Sequence, residues 1–168
     1  MFIRISLIIL LSLTGLFVST NVFAQKAPDF QLQGYKKPVK LSDYRGRIVY
    51  LDFWASWCQP CRQSFGWMNK MQALYGEEGF TVIAINLDDS PAKAEKFLKQ
   101  IPANFEIAYD PRGKVAEQYK VNAMPSSYLI NKRGELVEMN RGFHPNDKDK
   151  LEASIRKLLT QRSVASLR

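Results

Sequence analysis

Residues 49–65, VYLDFWASWCQPCRQSF, contain both cysteines of a 168-residue chain, at positions 58 and 61. Two thiols at this spacing can form a structural bridge, contribute to a metal site, tether haem, or exchange electrons with other disulfides. A bridge closed over two intervening residues removes little entropy from the unfolded chain, so a staple is a poor use of the only pair. Zinc needs four protein ligands, or three and a water, and beyond the two cysteines the chain offers a single histidine, His144. Haem attachment requires histidine directly after the second cysteine, and that position holds Arg62. Thiol–disulfide exchange is the chemistry that survives.

The elements around the pair explain how it would be held. Ile48 to Phe53 is a short, mostly apolar run of β-preferring residues, read as a strand buried on both faces. From Gln59 to Leu74 the apolar residues Phe65, Met68, Met71 and Leu74 recur at helical spacing, and Gly76 and Gly79 end the element. Cys58 therefore falls at a strand-to-helix junction and Cys61 one turn into the helix. The first N–H groups of a helix lack intrahelical partners and carry partial positive charge, which stabilises a thiolate at Cys58. Cys61 would be shielded, an asymmetry that suits a nucleophile and a resolving thiol. Pro60 fits the first turn, where no N–H is needed. Asp52 lies between Leu51 and Phe53, six residues before Cys58. Burial in that strand would raise its pKa and fit it to accept a proton near neutrality; on an exposed edge it would do neither.

The remaining pattern supplies a scaffold. Asp29 to Gln33 reads as a short strand, Phe80 to Leu87 as a second buried strand, and Phe105 to Tyr109 as a third core strand. Ser90 caps a helix with Pro91 at its first position and Ala94, Phe97, Leu98 and Ile101 on one face. Asp110-Pro111 opens a short helix through Tyr119. Ser126 to Ile130 and Glu135 to Asn140 form a hairpin around Asn131-Lys132-Arg133-Gly134. A last helix begins near Asn146 or Asp147 and buries Leu151, Ile155, Leu158 and Leu159, with a frayed end over 161–168. Strands alternating with helices, then a hairpin and a helix, predict an α/β sandwich of three layers with a mixed sheet.

Met1 to Arg4 carries one positive charge, Ile5 to Val18 is mostly aliphatic, and Val22-Phe23-Ala24 ends in a small residue. These are the parts of a secretory signal peptide, so residues 1–24 are expected to be a leader and 25–168 the folded domain. The 14-residue apolar run is short of the roughly 20 residues that cross a bilayer; retained, it would serve as a membrane anchor. Without the leader, and with it one arginine, the net charge falls from +8 to +7. The basic residues are scattered, as at Lys93, Lys96 and Lys99, and no aromatic-interleaved basic cluster points to nucleic acid. Export places the cysteines where disulfides persist.

Phe53-Trp54-Ala55-Ser56-Trp57-Cys58-Gln59-Pro60-Cys61, together with Met124-Pro125-Ser126 ahead of a hairpin, resembles the thioredoxin superfamily. The opening Ala27-Pro28-Asp29-Phe30 and the later Leu41-Ser42-Asp43-Tyr44-Arg45-Gly46 resemble the exported branch that contains TlpA and ResA. The resemblance implies a thioredoxin fold with an N-terminal extension and a helix–strand insertion, Ser90 to Tyr109, before a cis-proline at 125. It implies that Met124 and Pro125 form a wall beside Cys58 that pairs with an extended substrate segment. Trp57 and Trp54 would cover the redox centre, although Trp54 could equally fill core. Asp52 matches the buried aspartate of thioredoxin, whereas ResA-like members commonly have asparagine there and often a glutamate where this chain has Ser64.

The function implied is a periplasmic thiol–disulfide oxidoreductase, an enzyme with catalytic Cys58, Cys61 and Asp52 and with Trp57, Met124 and Pro125 as substrate-binding residues. Its expected partners are oxidised exported proteins and a membrane thiol donor, with no cofactor and no metal. The uncharged Gln59-Pro60 pair favours a reductant over an oxidase, and reduction of apocytochrome cysteines is the branch's role that the Ser64 departure weakens. Oxidase or isomerase activity in the same fold remains an alternative. A peroxidase would need proline and threonine where Leu51 and Ala55 stand, and a copper-binding chaperone would have only His144 to add.

Overall fold

The computed structural model describes residues 25–161; the expected leader, 1–24, and residues 162–168 of the expected frayed end lie outside them. Strands β1 (Gln31–Leu32) and β2 (Val39–Lys40) form a small antiparallel pair. They precede β3 (Ile48–Trp54), α1 (Gln59–Tyr75), β4 (Phe80–Asn86), α2 (Pro91–Gln100) and β5 (Glu106–Tyr109). Then come α3 (Lys114–Gln118), β6 (Ser126–Ile130), β7 (Leu136–Arg141) and α4 (Lys148–Thr160). The main sheet runs β5-β4-β3-β6-β7, with β3, β4 and β5 parallel and β6 and β7 antiparallel additions. Helices cover both faces, giving the mixed three-layer α/β sandwich that the sequence pattern predicts.

β3 and β4 are buried along their whole length because they sit inside the sheet with layers above and below. Strand alternation sends Ile48, Tyr50 and Trp54 to a core shared with α1, α2 and α4, and Val49, Leu51 and Phe53 to the opposite core. The second core is closed by α3 and the N-terminal segment through Phe30, Val39, Val115 and Tyr119. In the first core Phe65 packs on Trp54, Phe97 and Phe105 with ring centroids 4.7, 4.9 and 5.4 Å apart.

Several local details depart from the sequence reading. Leu74 is exposed rather than on the buried face; Trp67 is buried, and at the end of α1 it is Tyr75 that packs against the core. Ser90 is the N-cap residue of α2 but its side chain makes no capping hydrogen bond. α3 starts only at Lys114, because Gly113 sits in the left-handed region at φ 65°. The Asp110 carboxylate instead accepts from the backbone N–H groups of Lys114, Val115 and Ala116 at 2.9–3.0 Å. β5 is buried, as a core strand should be, yet it stands at the edge of the main sheet, where residues 33–35 cover it: Tyr35 N–H donates to Ile107 O and Tyr109 N–H to Gln33 O. A Cβ on Gly34 would overlap Lys37 O within its own turn and come within 3.0 Å of Ile107 O on β5.

Truncating the centre of the aromatic core tests this packing. Phe65→Ala should cost about 3–5 kcal/mol in urea unfolding of the oxidised protein. A loss below about 1 kcal/mol would show that the site collapses around the cavity rather than depending on the ring.

Candidate functional site

The site forms where β3 ends and α1 begins. Cys58 is the N-cap of α1, with extended φ/ψ of −80° and 107°, and its Sγ accepts from Cys61 N–H at 3.3 Å. Its own N–H donates to Ala55 O at 3.1 Å, which closes the turn leaving the strand. Pro60 occupies the first turn of the helix, where its missing N–H leaves no partner unsatisfied. Cys58 and Cys61 are joined as a disulfide. Cys61 is fully buried and Cys58 retains 5 % exposure, so a reagent from solvent meets Cys58. The helix N-terminus directed at Cys58 Sγ would favour the thiolate over the thiol on reduction.

The antiparallel register of β3 and β6 brings the proline to the same place. Phe53 lies opposite Ser126 and Asp52 opposite Ser127, so Pro125, one residue before β6, lies at the cysteine end of β3. The Met124–Pro125 bond is cis. Pro125 O accepts from Gly142 N–H at 2.8 Å, and half-buried Met124 packs against the same apolar cluster as both cysteines. The two tryptophans divide: Trp54 is fully buried and fills core against Phe65 and Phe97, whereas Trp57 is 70 % exposed on the loop beside Cys58.

Asp52 is 1 % exposed, which rules out the exposed-edge alternative. It lies between Tyr50 and Trp54 on the alternation that faces the α1 core, and its Oδ2 has no hydrogen-bond partner. Desolvation pushes the Asp52 carboxyl well above the ordinary carboxylate range. Burial likewise pushes the Tyr50 phenol up, with the neighbouring Asp52 charge adding to it. The arrangement can therefore exchange electrons through a near-surface sulfur and hold a proton on a buried carboxyl on the same side of the sheet. Asn86 and Asp88, at the carboxyl end of β4, also meet this loop, and the sequence reading passed them over. Polar residues closing an apolar parallel strand were the available signal.

The AhpC/TSA family description matches residues 23–139. The chain belongs to the AhpC/TSA family. Within it, the chain is similar to thiol-disulfide oxidoreductase ResA of Geobacillus kaustophilus, 34% identical over 145 residues, covering 81% of this chain and 83% of the relative. ResA of Bacillus anthracis is 33% identical over 165 residues, with 92% and 93% covered. A crystal structure from Chlorobium tepidum, assigned provisionally as thiol:disulfide interchange protein DsbE, superposes with a TM-score of 0.80 at 53% identity, covering 81% of this chain and 96% of that one. The exposed lipoprotein thioredoxin Etrx1 of Streptococcus pneumoniae gives 0.69 at 32% identity, with 78% and 100% covered. These likenesses and the Cys58–Cys61 pair make the chain a thiol–disulfide oxidoreductase of thioredoxin-like fold. For the peroxidase alternative, Leu51 and Ala55 stand buried where a proline and a threonine would be needed.

The raised carboxyl has a measurable consequence. Because its folded-state pKa lies above the unfolded value near 3.9, its stability contribution is whole below that value and is lost as pH rises through the folded pKa. Asp52→Asn, which cannot ionise, should gain on the parent protein as pH increases from about 4 upward. Urea unfolding of both oxidised proteins across that range checks it, and a constant difference would refute the buried, raised acid.

Proposed function

We propose that the protein is a periplasmic reductant of protein disulfides, exported by residues 1–24 as a cleaved leader and reloaded by a membrane thiol donor. The observation that carries this reading is the asymmetry of the pair: Cys58, at a helix N-cap, keeps a slight exposure, while Cys61 has none. The Cys58 thiolate attacks one sulfur of a substrate disulfide, breaking the S–S bond and releasing the first substrate thiolate. A mixed disulfide joins Cys58 to the other sulfur. Asp52 then takes the Cys61 proton, directly or through a water, and the Cys61 thiolate attacks Cys58 Sγ. The second substrate thiolate leaves, the Cys58–Cys61 disulfide forms, and two electrons have passed from the protein to its substrate.

Met124 and Pro125 supply the backbone wall for an extended substrate segment, and Trp57 supplies an apolar face beside it. The reducing direction is supported by Gln59-Pro60, which brings no charge to hold Cys58 as a thiolate and so does not favour the reduced protein. The ResA and DsbE likenesses support a substrate among exported proteins, with apocytochrome cysteines as one member of the class. Among the described residues no helix is long and apolar enough to cross a membrane.

Trapping tests the substrate and the order of the cysteines together. Cys61→Ala should accumulate a mixed disulfide through Cys58 with exported proteins, and Cys58→Ala should accumulate none. Equal trapping by both variants would overturn the assignment. In stopped-flow reduction of a peptide disulfide, Asp52→Asn should slow resolution by about 100-fold or more, the scale of a positioned base, with initial attack little changed. Equal resolution rates in the two proteins would remove Asp52 from the mechanism.

A further inference from the structure

The loop that carries Trp57 and Cys58 is held from outside its own segment by one carboxylate. Asp88, 2 % exposed, lies in the loop after β4. Its Oδ2 accepts from Ser56 N–H at 3.0 Å and its Oδ1 from Ser56 Oγ at 3.1 Å. A longer branch from Ser56 N–H reaches Oδ1 at 3.3 Å. Asn86 Nδ2 donates to Oδ2 at 2.8 Å, while Asp88 N–H donates back to Asn86 Oδ1 at 3.1 Å. Asn86 is itself buried in the sheet, so the carboxylate is fixed before it reaches Ser56.

The consequence falls on Trp57. Its ring is exposed, so no core packing fixes it; its place depends on the backbone at either side. Cys58 is fixed at the helix N-cap, and Ser56 is fixed by Asp88. A large apolar side chain displayed on a two-sided rigid anchor offers a preformed contact, which lowers the ordering cost of binding.

We infer that Asp88 is a positioning residue for substrate: by clamping Ser56 it holds Trp57 as a fixed face of the site beside Cys58. The clamp works by geometry rather than by charge. In Asp88→Ala the Ser56 N–H, the Ser56 hydroxyl and the Asn86 amide all lose their acceptor. In Asp88→Asn the amide oxygen can still accept from Ser56 N–H and Asn86, and its NH2 can donate to the Ser56 hydroxyl.

This inference rests on Trp57 being a substrate contact, and the experiment separates the two. Reduction of insulin, with dithiothreitol as donor, is compared with reduction of a small aromatic disulfide that needs only the Cys58 thiolate. Asp88→Ala should raise KM for insulin about tenfold, the scale of a lost hydrogen bond to a charged group. The small disulfide should react within about threefold of the parent rate, and Asp88→Asn should restore KM to within about threefold. In a Trp57→Ala background, Asp88→Ala should add less than about twofold. Unchanged KM in Trp57→Ala alone overturns the substrate-contact reading and the inference with it. Raised KM in Trp57→Ala with unchanged KM in Asp88→Ala overturns the clamp alone. Equal slowing of both substrates, or Asp88→Asn as impaired as Asp88→Ala, also overturns it. Should Asp88→Ala fail to fold, Ser56→Ala, which removes only the hydroxyl donor, should raise KM for insulin about threefold, and an unchanged value overturns the inference.

Discussion

The double pairing of β3 is the constraint on which the site depends. Hydrogen-bonded in parallel to β4 on one side and antiparallel to β6 on the other, this strand cannot slip by one residue without sending every side chain to the wrong face. Its register places Asp52 on the α1 side, delivers Cys58 to the start of α1, and brings Pro125 level with the end of the strand. The parallel neighbour supplies Asn86 and Asp88 at the same end. Four separate segments thus meet at the carboxyl edge of a sheet, where the backbone ladder ends and side chains can face solvent.

Burial then assigns different chemistry to similar groups. Cys58 and Cys61 share a helix turn, yet Cys58 keeps a slight exposure at the N-cap and Cys61 has none. Asp52 and Asp88 are both nearly inaccessible, but Asp88 accepts hydrogen bonds from Ser56 and Asn86, while Asp52 Oδ2 has no partner. The first arrangement fixes the carboxyl group in place. The second makes ionisation costly, as the upward shift of Asp52 expresses, and so makes its carboxylate a stronger proton acceptor. Trp54 and Trp57 divide in the same way, into core filler and surface contact.

The acid closest in chemical character to the cysteine pair comes from the strand and not from the helix. With Ser64 buried and bonded to Cys61 O at 2.9 Å, the helix offers no acid three residues beyond the second cysteine. Asp52, beneath α1, is the acidic group that the strand places on the core side of the pair.

The sequence by itself determined the nature of the chemistry, because a lone CxxC, its Pro60 and the flanking strand and helix patterns are local features. β3, α1, β4 and the hairpin all emerged near their expected bounds for the same reason: apolar period and turn residues act over a few positions. The covered edge at β5 was not legible, since it depends on contacts made by a distant segment. The same limit hid Asp88, whose partner Ser56 lies 32 positions away. Only the tertiary structure decided which tryptophan faces solvent, how far Asp52 is desolvated and what holds the Cys58 loop. Burial and hydrogen-bond partners are properties of the packed sheet edge, and no local stretch of residues encodes them alone.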